Sequence, residues 1–314
     1  MEVFALVAQF IAGLFAALIG LVSPVVTYAA APFTQEPARA ELLFVGDIML
    51  DRTIRATIDE KGGDFIFSCI DPILQSADVV VANLEGPVTT HPSKSLGSVI
   101  RSPENFTFTF ATSTAQLLRA HNISIVNIGN NHILNFGNEG VVQTREWLTK
   151  AGVRYFGDPL VSDESARVVR TEIGRIPFSF VSWSEWTGGT LMEVLSQIRA
   201  EAQTGRMVIV YTHWGEEYLP ATEREKSLAR QFVDAGAEAV IGSHPHVVQE
   251  HELYGGKHIY YSLGNFIFDQ YWREEVRTGL LVRLSFGREG VISHEEIAVE
   301  LGRDRRTCPI TQEL

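Results

Sequence analysis

The sequence predicts a single α/β domain, and three observations predict it. The chain has 314 residues, 45% hydrophobic and 20% charged, ordinary for a globular protein with ample material for a core. Short apolar runs, continuous rather than alternating, are separated by stretches of helical character, as expected of strands covered on both faces. Just past successive runs stand residues of one chemical kind, Asp, Asn, Glu and His.

Taken in order, the chain opens with a segment unlike the rest. From Val3 to Ala31 no residue is charged, and Val3 to Val22 is almost wholly apolar. About 20 such residues span a bilayer. Thr27-Tyr28-Ala29-Ala30-Ala31-Pro32 also has the small residues of a secretory cleavage site. Residues 1–32 are therefore expected to be an N-terminal membrane anchor or a signal peptide removed near Ala31. No Lys or Arg precedes the apolar run to set its orientation. The expected location is the cell membrane, with the domain outside the cytoplasm, or secretion after cleavage. A linker over 33–40 leads into the domain, 41–301, and 302–314 reads as a carboxyl-terminal tail.

Strands are expected at Leu42–Val45, Val79–Val81, Ile123–Val126, Phe178–Val181, Val208–Tyr211, Ala239–Ile241 and Ile259–Tyr261. Helices are expected at Thr112–Ala120, Glu139–Ala151, Leu191–Ala202 and Glu223–Ala235, the last capped by Thr222 and stopped by Gly236. Leu280–Phe286 and Ile297–Leu301 have no helix between them and read as an antiparallel pair. The net charge of −12 disfavours nucleic acid as a partner. Two cysteines, Cys69 and Cys308, are too few for a disulfide framework or a thiolate metal site, and both read as unremarkable.

The polar residues past the strands carry the chemistry. Asp47 follows the first run, Asn83 and Glu85 the second, and Asn130, Asn131 and His132 the third. His213, then His244 with His246, then Asn265 follow later ones. The carboxyl edge of an α/β sheet is where sites assemble. In Gly242-Ser243-His244-Pro245-His246, proline pushes His244 toward an extended conformation, so both imidazoles are expected on one side of a strand. Oxygen and imidazole donors without thiolate suit one or two divalent ions per chain, Mn, Fe or Zn. Paired ions of this kind serve phosphoester hydrolysis best.

Six motifs in this order resemble the CapA family, the bacterial capsule and poly-γ-glutamate synthesis proteins within the calcineurin-like metallophosphoesterase superfamily. They are Gly46-Asp47-Ile48-Met49-Leu50, Ala82-Asn83-Leu84-Glu85, Asn130-Asn131-His132, His213-Trp214-Gly215-Glu216-Glu217-Tyr218, Gly242-Ser243-His244-Pro245-His246-Val247 and Ser262-Leu263-Gly264-Asn265-Phe266. The resemblance runs from Glu41 to Asp269. It implies a metallophosphoesterase-like two-sheet sandwich flanked by helices, αββα, with the site at one edge. It implies metal ligation by Asp47, Asn131, His213, His244 and His246, with Glu85 or Asn83 at the bridging position. It further implies His132 as the acid that protonates the leaving group, Arg101 as a holder of an anionic substrate group, and Asn130, Asn135 and Asn265 as supporting residues. The implied substrate is an anionic polymer or a phosphoester, and the implied partners are membrane subunits of a polymer synthase.

Two departures weigh on activity. Met49 stands where superfamily enzymes have a histidine ligand, and a thioether is a poor ligand for a hard ion. Asn135 stands where the family commonly has Asp, and an amide stabilises an imidazolium less than a carboxylate does. The competing expectations are a metal-dependent hydrolase and a non-catalytic accessory or scaffold subunit that keeps the fold. Hydrolysis or transfer at a poly-γ-glutamate amide bond is a third, since activated water attacks carbonyls as well.

Overall fold

Each central strand feeds two cores at once. In β1 (Ala40–Ile48), Leu42 and Phe44 face one way and Leu43 and Val45 the other, all fully buried. That is why the run is continuous rather than alternating. The structure, a computed structural model, describes residues 37–161 and 167–310. The expected anchor and the first half of the linker, 33–36, lie outside the described residues. Among the described residues no helix is long and apolar enough to cross a membrane.

The first sheet begins with β1, β2 (Val79–Leu84), β3 (Ile123–Asn127) and β4 (Arg154–Phe156), all parallel. The chain then builds a second sheet from β5 (Val169–Ile173), β6 (Ile176–Ser184), β7 (Met207–His213), β8 (Ala237–Ser243), β9 (His251–Tyr254) and β10 (Lys257–Tyr260), in the order β5-β6-β7-β8-β10-β9. It returns to the first sheet through β11 (Asn265–Ile267), β12 (Thr278–Gly287), β13 (Gly290–Leu301) and β14 (Thr307–Pro309). β12 runs antiparallel to β1 and β13 to β12, the expected antiparallel pair.

Between the sheets Phe44, Val81, Ile125 and Leu284 meet Phe178, Ile209, Tyr211 and Ile241 in one core. The outer faces are covered by helices. These are α1 (Arg52–Lys61), α2 (Asp64–Phe67), α3 (Asp71–Gln75), α4 (Thr114–Ala120) and α5 (Gly137–Ala151), then α6 (Leu191–Gln203) and α7 (Glu223–Ala235). α1 to α5 pack on the first sheet through Ile54, Phe67, Leu118 and Leu148; α6 and α7 pack on the second through Ile198 and Phe232. Both α6 and α7 open with a capping box, from Thr190 with Glu193 and Thr222 with Glu225, and Gly236 ends α7 in the left-handed region. The architecture is the expected α/β two-sheet sandwich flanked by helices. The three short helices between Arg52 and Gln75 were not anticipated; α2 and α3 are too short to show a helical period.

Two sequence expectations change. The stretch past Leu301 holds a strand, β14, which pairs with β13. Within it Cys308 is disulfide-bonded to Cys69, 239 residues away, with the two Cα atoms 4.9 Å apart. The cysteines are therefore a staple rather than unremarkable residues. Sequence spacing carries no trace of such a pair, because only the closed sheet brings the two ends together.

Candidate metal centre

Strand register lines up the polar residues. Asp47 pairs with Asn83 on one side and Asn265 on the other, and Asn83 pairs with Asn127. Across the second sheet His213 pairs with Ser243. Within each sheet these strands run parallel, so Asp47, Asn83, Asn127, His213 and Ser243 stand at or next to carboxyl ends, and Asn265 opens β11 beside Asp47. The crossing is tight at two glycines. An added Cβ at Gly46 would lie 1.9 Å from the Gly264 carbonyl oxygen, and one at Gly242 would lie 1.8 Å from that of Tyr261. No side chain fits at either position.

The two imidazoles flanking Pro245 converge, but not as the sequence suggested. His244 has φ 96° and His246 φ 57°, so neither is extended. β8 has already ended at Ser243, and two left-handed residues bracket the proline instead. Such conformations persist where surrounding contacts over-determine them. Here the His244 N–H donates to Asp47 Oδ2 at 3.1 Å, and the Tyr218 N–H donates to the Pro245 carbonyl at 2.8 Å. The rings end 5.8 Å apart, centre to centre.

Two groups of candidate ligands result, Asp47 with Glu85 and His246, and Glu85 with His213 and His244. In each, one donor atom per residue lies within 4.8 Å of the others. Glu85 belongs to both. It is wholly buried, and no N–H or O–H donor among the described residues reaches either of its oxygens. A buried carboxylate without donors is costly unless a cation meets it. Burial, then the charges of Asp47 and Glu217, pushes its pKa well above the usual range, with Arg52 opposing. His244 Nδ1 is likewise buried without a partner. His213 Nε2 faces Asn131 Oδ1 at 2.9 Å, so the expected Asn131 ligand is adjacent to the second group. This donor set fits one or two divalent ions.

The supporting residues hold the donors in place. Asn83 donates to Asp47 Oδ1 at 2.8 Å, and its own oxygen accepts from Asn127 and Asn130. That leaves Glu85, not Asn83, with free oxygens. Asn265 Oδ1 accepts from His246 Nδ1 at 2.9 Å, turning Nε2 toward Glu85 Oε1 at 3.6 Å. Asn130 Oδ1 accepts the His132 N–H. Asn135 Oδ1 lies 3.2 Å from His132 Nδ1 and also accepts the Phe108 N–H, so Nδ1 carries the proton and Nε2 faces Glu85 Oε1 at 3.9 Å. Burial lowers His132 to about 4 and His244 to about 3, and His213 falls well below the ordinary imidazole value.

Arg101 is exposed at φ 70° on the loop before the short turn Pro103–Phe106, and no contact joins its side chain to this network. Met49 is buried in the helix-side core, where its sulfur accepts the Asp51 N–H at 3.1 Å. Sequence reasoning missed Gln270 and Arg52. Gln270 links Asn265 to the Tyr218 hydroxyl, and no spacing marks it.

The pKa pattern predicts how metal uptake depends on pH. His132, His213 and His244 are neutral already at neutral pH, whereas Glu85 retains a proton to higher pH than an ordinary carboxyl. Mn(II) uptake between pH 5 and 7 should therefore release a proton from Glu85 and none from His213 or His244. Uptake without proton release in calorimetry across buffers would show that Glu85 is already ionised in the metal-free protein.

The comparisons with known proteins agree on one kinship. The profile of the family described as bacterial capsule synthesis protein PGA_cap matches residues 41–270. The chain is 30% identical over 275 residues to the PGA biosynthesis protein CapA of Bacillus subtilis (strain 168), covering 82% of this chain and 70% of that protein. It is 29% identical over 266 residues to the capsule biosynthesis protein CapA of Bacillus anthracis, covering 78% and 64%. A probable polyglutamine synthesis accessory protein of Mycobacterium tuberculosis (strain ATCC 25618 / H37Rv) is 28% identical over 221 residues, covering 60% and 57%. The matches thus take in between 57% and 70% of these relatives' own lengths.

Proposed function

Because the chain belongs to the bacterial capsule synthesis protein family PGA_cap, we propose that it serves assembly of a capsule or poly-γ-glutamate polymer through a metal-dependent phosphoesterase-type site. The observation that carries this reading is Glu85, shared by two groups of buried ligands and reached by no donor. Asp47, Glu85 and His246 would hold one ion; Glu85, His213 and His244, with Asn131 beside them, would hold a second. When bound, such ions supply Lewis-acid activation of water and neutralise charge at the reacting oxygens. Mn, Fe and Zn all suit the donor set.

The chain's own residues do the rest. Asn83 and the His244 N–H orient Asp47; Asn265 orients His246. His132 Nε2 is the proton-handling atom, unprotonated at rest and directed toward Glu85, with Nδ1 held by Asn135. Its low pKa makes it a proton acceptor at neutral pH that turns donor only after taking a proton from the reacting partners.

An exported domain would fit the same role. A disulfide persists in oxidising compartments, which agrees with the apolar amino-terminal segment as an anchor or signal. Partners on the membrane, polymer-synthase subunits, follow from that location. A second reading, an accessory subunit without catalysis, is favoured by Met49 in the core instead of at the ligands.

The test is ion content per chain together with hydrolysis of bis(p-nitrophenyl) phosphate and of a γ-glutamyl anilide. Near two ions and phosphodiester turnover, reduced about 10²-fold or more by His132→Asn with ion content unchanged, is the expected result. Anilide turnover alone would redirect the reaction to the amide bond. No ion in well-folded protein supplied with Mn or Zn would leave the accessory role.

A further inference from the structure

Arg52 is the first residue of α1 and stands at φ 50°, in the left-handed region, where a residue with a Cβ is strained. Its side chain is mostly buried, and the reaction described above gives it no task. Nη2 lies 2.6 Å from Asp269 Oδ1. The other oxygen of Asp269 accepts from the Thr53 N–H at 3.2 Å and the Thr53 hydroxyl at 2.8 Å, so the carboxylate itself is locked. The guanidinium carbon lies 5.1 Å from the centre of the Phe108 ring and 5.4 Å from that of Phe268. These same rings pack on the site, Phe108 on His132 at 4.3 Å and Phe268 on His246 at 4.8 Å.

A guanidinium needed only for packing is poorly used here. An ion pair buried this far repays its desolvation weakly, and apolar residues of similar volume would serve as well. The strained backbone adds a further cost. Strain that persists at the rim of a site is a pointer to a task there. Nε and Nη2 are buried without a hydrogen-bond partner, Nη2 meeting Asp269 Oδ1 as an ion pair alone, and no hydrogen bond among the described residues takes Nη1. Arg52 is also the cation whose field acts on both Glu85 and His132. A planar fork held by one ion pair, with its N–H groups otherwise untaken, suits an oxyanion.

We propose that Arg52, tethered by Asp269 between Phe108 and Phe268, binds through Nη1 an oxyanion of the substrate lying beside His132 and Glu85. The oxyanion is a phosphoryl or a carboxylate oxygen, the chemistry these two share. The assignment deepens the proposed function and rests on its reading of where substrate lies.

Calorimetric titration of inorganic phosphate and of glutarate into Mn-loaded and metal-free protein tests it, with bound Mn measured separately. Arg52→Met keeps an apolar stem between the rings and removes the fork; Arg52→Lys keeps the charge without the fork. The expected result is anion binding by the wild type that weakens tenfold or more in Arg52→Met and less in Arg52→Lys, at unchanged Mn content. The anion that binds more tightly identifies the phosphoryl or the carboxylate source. Unchanged affinity for both anions in Arg52→Met, or no binding of either by the wild type in either form, overturns the proposal. Should Arg52→Met fail to fold, Arg52→Lys decides, and wild-type affinity there overturns it. Absence of Mn from the wild type counts against the metal-dependent reading alone, because the metal-free titration still reads Arg52.

Discussion

Glu85→Gln should empty both candidate centres at once and leave the protein better folded without metal. The carboxylate is common to the two ligand groups, so its neutral isostere weakens each ion by several kcal/mol, about a thousandfold in affinity. His246→Ala, by contrast, touches one group and should lower ion content by about one per chain. The stability arm has a definite sign. A carboxyl whose folded pKa is raised favours folding below its unfolded value near 4.5, and that advantage is lost as pH rises through the raised value. Glutamine carries no such charge. Metal-free Glu85→Gln should therefore melt above metal-free wild type at pH 8, with the gap closing toward pH 4.5. Equal ion content in the two proteins, or a lower melting point for the variant at pH 8, would remove Glu85 from the centre.

Cutting the Cys69–Cys308 staple should cost more stability than any single surface change. The closed loop spans nearly the whole described domain, with the cysteines 239 positions apart, and constraining so long a loop in the unfolded chain is worth about 5 kcal/mol at 25 °C by chain entropy. Cys69→Ser with Cys308→Ser, or wild type held in dithiothreitol, should show a urea midpoint shifted down accordingly. A loss under about 1 kcal/mol would mean the bridge is dispensable. The bridge also bears on the site, because Thr307, next to Cys308, donates from its hydroxyl to the Phe266 carbonyl. Phe266 follows Asn265, which orients His246. Reduction should loosen that end of the sheet before it reaches the histidines.

Much of the donor set was legible because chemistry and chain direction coincide. A parallel strand delivers whatever follows it to one edge, so Asp, Asn and His residues placed after successive apolar runs had to gather there. Asp47, Asn83, Asn131, His213, His244 and His246 all lie at that edge. The pairing of His244 with His246 was expected for a reason that does not hold. Proximity comes from two left-handed residues around Pro245, held by Asp47 and Tyr218, and no local rule forecasts a backbone imposed by distant donors.

The sequence by itself determined the layered α/β architecture, since continuous apolar runs bury both faces of a strand whatever the details of packing. It also determined the kinds of candidate ligand and the edge where they gather. Only the tertiary structure distinguishes Glu85 from Asn83 as the candidate ligand, because Asn83 has its oxygen already taken by Asn127 and Asn130. It alone joined Cys69 to Cys308 and placed Arg52 against Asp269. These pairings cross 239 and 217 residues of chain, and contacts at such separations follow from the closing of the whole fold rather than from any local pattern of residues.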